Sequence, residues 1–533
     1  MEHTLHGQHV LVLGLGASGL AMARWCAGQG AQVTVLDNRA APPQAAALAA
    51  SAPAARLVHG EFDASWIEGS DVRAVFASPG LAPHQTAPLL DAARALGLWV
   101  GGELSLFAHA LKALETSQAY HPAVLAVTGT NGKTTVTALT AELVRAAGKT
   151  VAVAGNIGPT LLDTLAQVLA DAALPQVWVL ELSSFQLSAA EGFAPTAATV
   201  LNISQDHLDW HPDLAHYAAA KARVFGPDTL MVLNRDDAAV MAMLPAPVRV
   251  KQRLVERAHV TFGLTQAQRP GDYGLEDAGG MVWLVRAQDA DETLKPRRRV
   301  AAPPQGAATP SGGSAAHAVA SVGGSIYEEA ELHIQRLLPM EALRIRGRHN
   351  ASNAQAALAL ASAADCALGP MLFGLREYRG EPHRVQHIGT LNSVEFFDDS
   401  KGTNVGATVA ALNGLGEDRR LVLILGGEGK GQDFQPLAAP VRRFVRAVVL
   451  IGRDAALIRD ALADTGVALL DAESMERAVA LANAQAHAGD AVLMSPACAS
   501  FDMFRDYAHR AQVFCDAVAA LALAQGTVME MAA

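Results

Sequence analysis

Residues Ala123–Thr135 read AVLAVTGTNGKTT, and this stretch decides the fold. The apolar run Ala123–Val127 is typical of a buried strand, and the segment after the loop is compatible with a helix through Ala147. Between them the chain turns through Gly129 and Gly132. A glycine loop between a strand and a helix aims several backbone N–H groups at one point, which suits a polyphosphate. The stretch therefore predicts a site for a nucleoside triphosphate.

The loop is a variant of the P-loop pattern G-x-x-x-x-G-K-[ST]. That pattern requires glycine at position 127, whereas this chain has Val127 there and its first glycine is Gly129. Lys133 supplies a point charge for phosphate oxygens, and Thr134 supplies a hydroxyl for magnesium. The alternative is a glycine turn followed by a solvated lysine. The strand and helix patterns on either side of the loop disfavour that alternative.

Length and charge limit the class of protein. A chain of 533 residues exceeds what one hydrophobic core covers, so about three domains are expected. It is 51% hydrophobic but only 5% aromatic and is rich in alanine, which favours an α/β fold. The net charge of −11 argues against a general nucleic-acid binder, because such proteins carry an excess of cations.

Cysteine spacing and hydropathy bear on the compartment. The four cysteines are scattered without a C-x-x-C pair, so they indicate neither a disulfide framework nor a zinc site. No stretch reaches about 18 uninterrupted apolar residues, and the first apolar run has no basic segment before it. We therefore expect a cytoplasmic protein without membrane insertion.

An N-terminal unit shows a second strand–loop–helix pattern. The strand His9–Leu13 runs into the glycine-rich segment Gly14–Gly19, and a second strand, Gln32–Leu36, ends at Asp37. This is the spacing of a Rossmann fingerprint. Alone, the pattern fits NAD, FAD, another nucleotide or a simple tight turn. The apolar segment Ala74–Ala77 ends in a Ser-Pro-Gly turn of the same unit.

The central unit alternates strands with helices, which predicts a parallel sheet. Its expected strands are Ala123–Thr128, Thr150–Ala154, Gln176–Glu181 and Ala198–Ile203. Ligands of such sheets gather beyond the carboxyl ends of the strands. Glu181, at one of these ends, suits the second protein ligand of a magnesium ion held by a P-loop threonine. His207 and Lys221, taken singly, are more often structural or solvated residues.

The segment from about residue 286 to 325 differs in composition. It is rich in Pro, Gly, Ser and Ala, with few large apolar residues. Such a segment buries too little surface to offset the entropy of ordering, so we expect a flexible surface insertion. Its basic run, Lys295–Arg299, is expected to be solvated.

A third unit follows a possible hinge at Glu381–Arg384. Its expected strands are Val394–Phe397, Leu421–Leu425, Ala447–Ile451 and Ala491–Met494. Three clusters of hydroxyl, amide and lysine side chains follow strand ends, at Asp398–Asn404, Gly426–Lys430 and Ser495–Asp502. Any one of them could be a surface turn. Three at the same edge of an α/β sheet indicate one ligand site.

Nine motifs of this chain resemble those of the Mur ligases of peptidoglycan synthesis. They are GTNGKTT, GNIG, ELSSFQL, the pair Asp206–His207, GRHNASN, PHR, DDSKGTN, GGEGKGQDF and SPACASFD. The resemblance runs in order from about residue 8 to about 520, and only the insertion falls outside it. It implies an α/β fold of three domains: an N-terminal Rossmann-like domain at 1–103, a central P-loop ATPase-like domain with a parallel sheet at 104–380, and a C-terminal Rossmann-like domain at 381–533.

Within the family, the motifs are most similar to those of members that add D-glutamate to UDP-N-acetylmuramoyl-L-alanine. The first glycine-rich segment would then bind the UDP of that substrate, with Asp37 and Asn38 near the uracil. Asn38 departs from the family pattern, which has a threonine. The resemblance places the following residues on the muramoyl substrate: Ser18, Asp37, Asn38, Ser78, Gly80, Asn156, Ser183 and His207. It places Thr403, Lys430, Ser500 and Phe501 on D-glutamate, with Tyr507 nearby.

The resemblance also implies ATP and two magnesium ions. The residues expected on ATP are Gly129, Thr130, Asn131, Gly132, Lys133, Thr134 and Thr135 at the phosphates, Asn350, Asn353 and Arg384 around the nucleotide, Asp399 on the ribose side, and Lys401 near the phosphates. Thr134 and Glu181 would bind one magnesium ion, and Glu181, His207 and a carbamylated Lys221 the other. Lys133, Glu181, His207 and Lys221 form the expected catalytic set. A monomer is expected.

Other functions remain open from the sequence. Related candidates are a Mur ligase that adds L-alanine or a diamino acid, and a folate polyglutamate ligase with a similar central domain. An NAD-dependent oxidoreductase would fit the N-terminal fingerprint, but the P-loop disfavours it. An inactive nucleotide-binding scaffold is disfavoured because Lys133, Glu181, His207 and Lys221 are all present.

Overall fold

The computed structural model describes residues 4–207, 210–251, 253–290, 332–417, 419–527 and 529–531. Within these ranges the chain forms three sheets built mainly from parallel strands, one after another along the sequence, together with a small antiparallel sheet and a hairpin. This arrangement confirms the predicted α/β class.

The first sheet has five parallel strands in the order β3-β2-β1-β4-β5. These strands are β1 (His9–Leu13), β2 (Gln32–Asp37), β3 (Arg56–His59), β4 (Val72–Ala77) and β5 (Trp99–Gly101). The accompanying helices are α1 (Ala17–Gly28), α2 (Ala45–Ser51), α3 (Pro83–Ala95) and α4 (Glu103–Gln118). The glycine-rich segment joins β1 to α1, as a Rossmann fingerprint predicts.

The central sheet has six parallel strands in the order β13-β10-β9-β6-β8-β7. Its strands are β6 (Ala123–Thr128), β7 (Val151–Gly155), β8 (Val177–Glu181), β9 (Ala197–Val200), β10 (Leu230–Asn234) and β13 (His259–Phe262). A separate, exposed hairpin consists of β11 (Val248–Val250) and β12 (Arg253–Val255). The helices of this part are α5 (Lys133–Ala146), α6 (Leu161–Ala170), α7 (Ser184–Ser188), α8 (Leu214–Ala222) and α9 (Ala238–Met241).

A three-stranded antiparallel sheet follows the central sheet. It consists of β14 (Tyr273–Ala278), β15 (Met281–Asp289) and β16 (Leu332–Pro339), and two helices come next, α10 (Arg348–Ala363) and α11 (Leu368–Glu377). The predicted start of the flexible insertion at residue 286 is wrong. Residues 286–289 pair with β16, because MVWLVRAQD alternates side chains as a strand does and Arg286 lies over the Tyr273 ring. The rest of the predicted insertion lies outside the described residues.

The third large sheet has the order β21-β20-β19-β22-β18-β17-β23, with β17 and β23 antiparallel to their neighbours. Its strands are β17 (Gln386–Leu391), β18 (Val394–Asp398), β19 (Leu421–Gly426), β20 (Val445–Ile451), β21 (Ala468–Asp471), β22 (Ala491–Met494) and β23 (Glu530–Met531). Its helices are α12 (Val405–Leu415), α13 (Ala438–Phe444), α14 (Ala455–Leu462), α15 (Met475–Gln485) and α16 (Tyr507–Ala524).

Burial of the central strands on both faces fixes where the polar residues emerge. The strand β6 is apolar up to Val127, and helix α10 packs on α5 over the sheet. A parallel strand covered on both faces has no room for polar side chains until it ends. The carboxyl ends of β6, β8 and β9 therefore bring their polar residues to one edge. No helix within the described residues is long and apolar enough to cross a bilayer.

Candidate active site

The phosphate loop begins one residue after β6 ends. Val127 is fully buried within the strand and pairs with Glu181, so this position needs no glycine. Gly129 takes the first turn at φ 150°, and a Cβ there would lie 2.9 Å from Leu201 Cβ. The first glycine therefore comes later than in the usual P-loop pattern. The strand β6 continues past position 127, and the chain after β9 packs closely against Gly129.

Gly132 makes the second turn and caps α5. Its φ of 84° lies in the left-handed region, and a Cβ there would lie 2.8 Å from Asn353 Oδ1. The loop is also braced by Asn202, whose Oδ1 accepts from Asn131 N at 2.8 Å and whose Nδ2 donates to Asn131 O at 3.1 Å. Thr130 N donates to Asn202 O at 2.9 Å. The loop is therefore held in shape by the chain that follows β9.

Lys133 lies back over the loop that precedes it. Its Nζ donates to Gly129 O at 2.9 Å and to Thr130 O at 2.8 Å. Desolvation lowers the pKa of Lys133, while Glu181 and Asp206 oppose that shift. The cation is thus placed at the mouth of the loop, where phosphate oxygens would replace the carbonyls as its partners.

Thr134 is hydrogen-bonded to a residue far along the chain. Arg384 Nη2 donates to Thr134 Oγ1 at 2.5 Å, across a separation of 250 residues. The contact joins the loop to the segment between α11 and β17. It places a guanidinium beside the hydroxyl that is expected to bind magnesium.

Glu181 ends β8 next to the loop and is only 1% exposed. Its Oε1 accepts from Asn156 Nδ2 at 2.9 Å, and its Oε2 has no hydrogen-bond partner. A buried carboxylate oxygen without a partner is costly unless a ligand satisfies it. This oxygen, an acceptor of the kind magnesium prefers, fits a metal-ligand role.

Lys221 is buried in α8, beneath the loop. Its Nζ donates to Gly129 O at 2.9 Å and lies 4.5 Å from the centre of the Tyr217 ring. Desolvation lowers the pKa of Lys221 well below its usual range, and the nearby charge of Lys133 adds to that shift. The neutral amine is the form that reacts with carbon dioxide, so the environment favours the chemistry of carbamylation.

His207 lies between aromatic rings at the edge of the same sheet. Its side chain is 45% exposed, and its ring centre lies 4.7 Å from that of Phe185. His207 Nε2 is 3.7 Å from Asp206 Oδ2. Its backbone is in the left-handed region at φ 54°, which is uncommon for a residue other than glycine.

Thr134 and Glu181 offer oxygen donors for a metal ion beside the phosphate loop. Among the described residues, no three His, Cys, Asp or Glu side chains are grouped to hold a metal by themselves. The predicted donor set includes a threonine hydroxyl and a modified lysine, and ATP would add phosphate oxygens. With the unpartnered Glu181 oxygen, these donors fit magnesium.

A cleft between the central and C-terminal units brings together the residues expected on the nucleotide. Its walls include Asn131, Gly132 and Thr135 from the loop side, Asn350 and Asn353 from α10, Arg384 from the segment between α11 and β17, and Asp399 and Lys401 from the C-terminal unit. Asn353 Nδ2 donates to Asn350 Oδ1 at 3.0 Å. The cleft thus brings together eight of the residues expected on the nucleotide, and Gly129, Thr130, Lys133 and Thr134 are not among its lining residues.

Asp399 is the buried acid of this cleft. Its Oδ2 accepts from Ser495 Oγ at 2.7 Å, and its Oδ1 accepts from Val385 N at 3.3 Å. Burial raises the pKa of Asp399 to about 7, although the Ser495 bond and Arg384 oppose the shift. The carboxyl group therefore titrates near neutral pH.

The three clusters of the C-terminal unit lie side by side, as predicted. They follow β18, β19 and β22, and β22 lies between the other two strands. Glu428 and Ala499 exchange backbone hydrogen bonds of 3.0 and 2.9 Å, which join the second cluster to the third. Lys430 Nζ lies 5.9 Å from the Phe501 ring centre. Phe501 is 65% exposed, and Ser500 beside it is buried.

Tyr507 and Lys401 connect this edge to the nucleotide cleft. Lys401 Nζ lies 3.8 Å from the centre of the Tyr507 ring, a cation–π distance. Desolvation lowers the pKa of Lys401, and the charge of Arg384 adds to the shift. Thr403 is two residues further along the same loop, and its N–H donates to Lys401 O at 2.9 Å.

The residues expected at the UDP lie at the first sheet. Asp37 is buried and accepts from Leu15 N at 2.6 Å and from Arg39. Burial favours its neutral form, but these hydrogen bonds outweigh burial and lower the pKa of Asp37 to about 2. Ser78 lies beside Gly14, where a Cβ would be 3.2 Å from the serine Cβ. These residues therefore surround the glycine-rich segment.

Most of the other residues predicted to bind the muramoyl substrate interact with neighbouring residues of the protein. Ser18 lies near the buried Glu103, where burial raises the pKa of that carboxyl and the serine hydroxyl partly opposes the rise. Asn38 is half-buried, and its backbone carbonyl accepts a hydrogen bond from His59. Gly80 has open space around its Cα. Ser183 Oγ accepts from Gln186 N at 3.2 Å and caps α7. Their roles toward the muramoyl substrate stay predictions.

Sequence reasoning missed several residues of the site. Tyr217 underlies Lys221 and bonds Thr130 through its hydroxyl at 3.2 Å. His349 lines the nucleotide cleft, and burial lowers its pKa to about 4. Asn404 lies within the predicted cluster Asp398–Asn404, but its hydrogen bond to the phosphate loop was not predicted. The position of Tyr217 four residues before Lys221 on a helix is the one local signal that could have pointed to it.

Comparison with protein families agrees with this geometry. The descriptions that match are "Mur ligase MurD-like, N-terminal domain" at residues 8–102, "Mur ligase middle domain" at 127–270 and "Mur ligase, glutamate ligase domain" at 383–498. Together they cover more than half of the chain. The chain belongs to the Mur ligase family.

Its curated relatives narrow the comparison to one kind of Mur ligase. UDP-N-acetylmuramoylalanine–D-glutamate ligase of Albidiferax ferrireducens is 64% identical over 532 residues, which span 100% of both chains. The protein of the same name from Burkholderia thailandensis is 55% identical over 522 residues, or 98% of each chain.

Solved structures show the same fold at low identity. MurF ligase from Thermotoga maritima in complex with ADP has a TM-score of 0.53 and 14% identity, with 98% of this chain and 100% of that chain covered. A pseudomurein peptide ligase type C from Methanothermus fervidus has a TM-score of 0.52 and 16% identity, covering 97% and 100%.

Proposed function

We propose that this protein is an ATP-dependent amide ligase that adds D-glutamate to UDP-N-acetylmuramoyl-L-alanine, a step in the synthesis of peptidoglycan precursors. The observation that carries the proposal is one cleft with two different walls. One wall carries Asn131, Gly132 and Thr135 of the phosphate loop, and the other carries Asp399 and Lys401 of the C-terminal unit. The full-length similarity to ligases of this name supports the choice of D-glutamate.

The reaction has two chemical steps. The alanyl carboxylate attacks the γ-phosphorus of ATP, ADP leaves, and an acyl phosphate forms. The amine of D-glutamate, after losing a proton, then attacks the acyl carbon, and phosphate leaves as the amide bond forms. Lys133 and Arg384 would neutralise charge on the transferring group, and such fixed charges supply much of the rate in phosphoryl transfer.

Magnesium is assigned to two sets of donors. Thr134 and Glu181 would hold the nucleotide-bound ion, and Glu181, His207 and a carbamylated Lys221 the second. When bound, magnesium would draw negative charge from the phosphate oxygens. Carbamylation would convert the Lys221 amine, a poor neighbour for a cation, into an anion with oxygen ligands.

The remaining substrate contacts divide between the outer units. Ser18, Asp37, Asn38, Ser78 and Gly80 are proposed for the UDP moiety, with Asn156, Ser183 and His207 nearer the alanyl end. Thr403, Lys430, Ser500, Phe501 and Tyr507 are proposed for D-glutamate, because an ammonium and hydroxyl groups suit its two carboxylates. Boundaries near residues 103 and 380 would separate the three domains. We also propose a monomer, and a cytoplasmic location where ATP is available.

Phosphate release from ATP tests the assignment. The protein is incubated with UDP-N-acetylmuramoyl-L-alanine and each member of a panel of amino acids, including L-alanine and diaminopimelate. Among the amino acids of the panel, only D-glutamate is expected to cause phosphate release. Release with L-alanine on the unextended UDP-N-acetylmuramate, or release that does not depend on D-glutamate, would refute the proposal.

A further inference from the structure

The first turn of α12, a helix of the C-terminal unit, lies against the phosphate loop of the central unit. Asn404 Nδ2 donates to Asn131 Oδ1 at 3.2 Å and to Asp206 Oδ2 at 3.3 Å. Asn404 Oδ1 accepts from Ala407 N at 2.8 Å and caps α12. The side chain is only 7% exposed. One amide therefore both starts a helix of the C-terminal unit and joins that unit to the central one.

Gly406 lets the helix come this close. A Cβ at Gly406 would lie 2.8 Å from Ser204 Oγ and 3.0 Å from Asn131 Nδ2. The residue is within α12, so its backbone does not itself require glycine. The requirement comes from the neighbouring unit, and it shows that the contact is tightly packed.

Asn404 is connected to three parts of the proposed site, two by hydrogen bonds and one by the chain itself. Asn131 belongs to the phosphate loop, and Asp206 precedes His207. Thr403, next to Asn404 in the chain, belongs to the edge proposed for D-glutamate. The contact therefore links the side that would hold the nucleophile to the side that would activate the carboxylate.

We infer that Asn404 is a positioning residue that fixes the D-glutamate edge against the phosphate loop, with Gly406 allowing the approach. The inference rests on the proposed function. The amine and the acyl phosphate would be held by different units, so their alignment depends on contacts of this kind. Misplacement of a nucleophile by a fraction of a bond length slows such reactions steeply.

Asn404→Asp separates the two roles of the side chain. Aspartate is as good a helix cap as asparagine, so α12 keeps its start. The donor is lost, however, and a carboxylate then faces Asp206. We expect kcat to fall at least about tenfold, because a hydrogen bond to a charged group is replaced by repulsion, while the protein stays folded because the cap of α12 is kept.

A reciprocal exchange and a matched control complete the test. The double variant Asn404→Asp with Asp206→Asn restores a donor facing an acceptor, and it should recover most of the lost kcat. Ser474 caps α15 in the same unit by accepting from Arg477 N at 3.3 Å. Ser474→Asp keeps that cap and should leave the rate unchanged.

Gly406→Ala provides a second, independent variant. Alanine favours a helix over glycine by about 1 kcal/mol, so the C-terminal unit should be no less stable. The added Cβ must nevertheless push α12 away from the loop, and kcat should fall. This combination of retained stability and lower rate is not what a purely structural defect produces.

The outcomes distinguish this inference from the proposed function. If the unmodified protein releases no phosphate with D-glutamate, the function is wrong. If the unmodified protein is active but Asn404→Asp and Gly406→Ala both match it, the inference is wrong. A reciprocal variant no faster than Asn404→Asp would also overturn it, since the interaction with Asp206 would then not matter.

Discussion

Arg510 offers a test of how the C-terminal unit holds its binding loops. The side chain is fully buried at the start of α16. Its Nη2 donates to Ser400 O at 2.8 Å and its Nη1 donates to Cys498 O at 3.1 Å. Ser400 precedes Lys401, and Cys498 lies two residues before Ser500. One guanidinium therefore joins the loop after β18 to the loop after β22.

The expected cost of replacing Arg510 follows from these two bonds. A hydrogen bond from a charged donor is worth about 1.5 to 3 kcal/mol. Lysine has one ammonium group on a flexible chain and can keep only one of the carbonyls, so Arg510→Lys should destabilise the unit by about 2 kcal/mol. Arg510→Met loses both bonds but also removes a buried charge, so about 3 kcal/mol is expected.

Hydrogen exchange of the unliganded protein measures this cost locally. Amides of β18 and β22 should exchange roughly thirtyfold faster in Arg510→Lys and roughly a hundredfold faster in Arg510→Met, as about 1.4 kcal/mol corresponds to a factor of ten. Arg446→Lys is the control. Arg446 pairs with Asp490 through bonds of 2.6 and 3.2 Å but is partly exposed, so its cost should be below about 1 kcal/mol.

Kinetics provide the second readout for Arg510. Because the two loops carry residues proposed for D-glutamate, the KM for D-glutamate should rise in Arg510→Lys, and the KM for the UDP substrate should not. Exchange rates equal to those of the unmodified protein would refute the reasoning. So would an equal rise in both KM values, because the bonds would then not act on the D-glutamate edge.

The remaining predictions concern three buried ionisable residues of the candidate site. Lys221→Ala should abolish activity, and high bicarbonate should not restore it because the carbamylated amine is gone; near-normal turnover would remove Lys221 from the site. Glu181→Gln keeps the bond to Asn156 but replaces the unpartnered oxygen with an amide, so magnesium-dependent phosphate release should be lost while the melting temperature without ligands is not lowered. Asp399 has a pKa of about 7 in the folded chain, above that of an unfolded aspartate, so its protonation stabilises the fold at low pH. The unmodified protein should therefore lose stability relative to Asp399→Asn as the pH rises from 4 to about 7, and denaturation curves showing no such divergence would contradict the burial argument.

Local patterns predicted much of the fold. The strands β1, β6 and β22 have the predicted bounds, because continuous apolar runs next to glycine or polar residues mark where a buried parallel strand starts and ends. The three clusters of the C-terminal unit were also placed at the correct edge. This follows from a general property of parallel sheets rather than from any particular side chain.

Contacts between distant parts of the chain could not be predicted in this way. Arg384 bonds Thr134 across 250 residues, and Asn404 bonds Asn131 across 273. Nothing in the local sequence of either partner specifies the other. The antiparallel sheet β14–β16 was missed for a related reason, since residues far apart in sequence form the pair β15–β16. Pairings of this kind depend on how the units pack.

The central claim is that the alanyl carboxylate is activated by ATP before D-glutamate attacks it. The most direct test uses UDP-N-acetylmuramoyl-L-alanine with ¹⁸O in both oxygens of the alanyl carboxylate. During turnover with ATP and D-glutamate, mass spectrometry of the released phosphate should show one ¹⁸O per molecule, because the acyl phosphate transfers a carboxylate oxygen to phosphate. Phosphate without ¹⁸O, formed together with the amide product, would contradict the account.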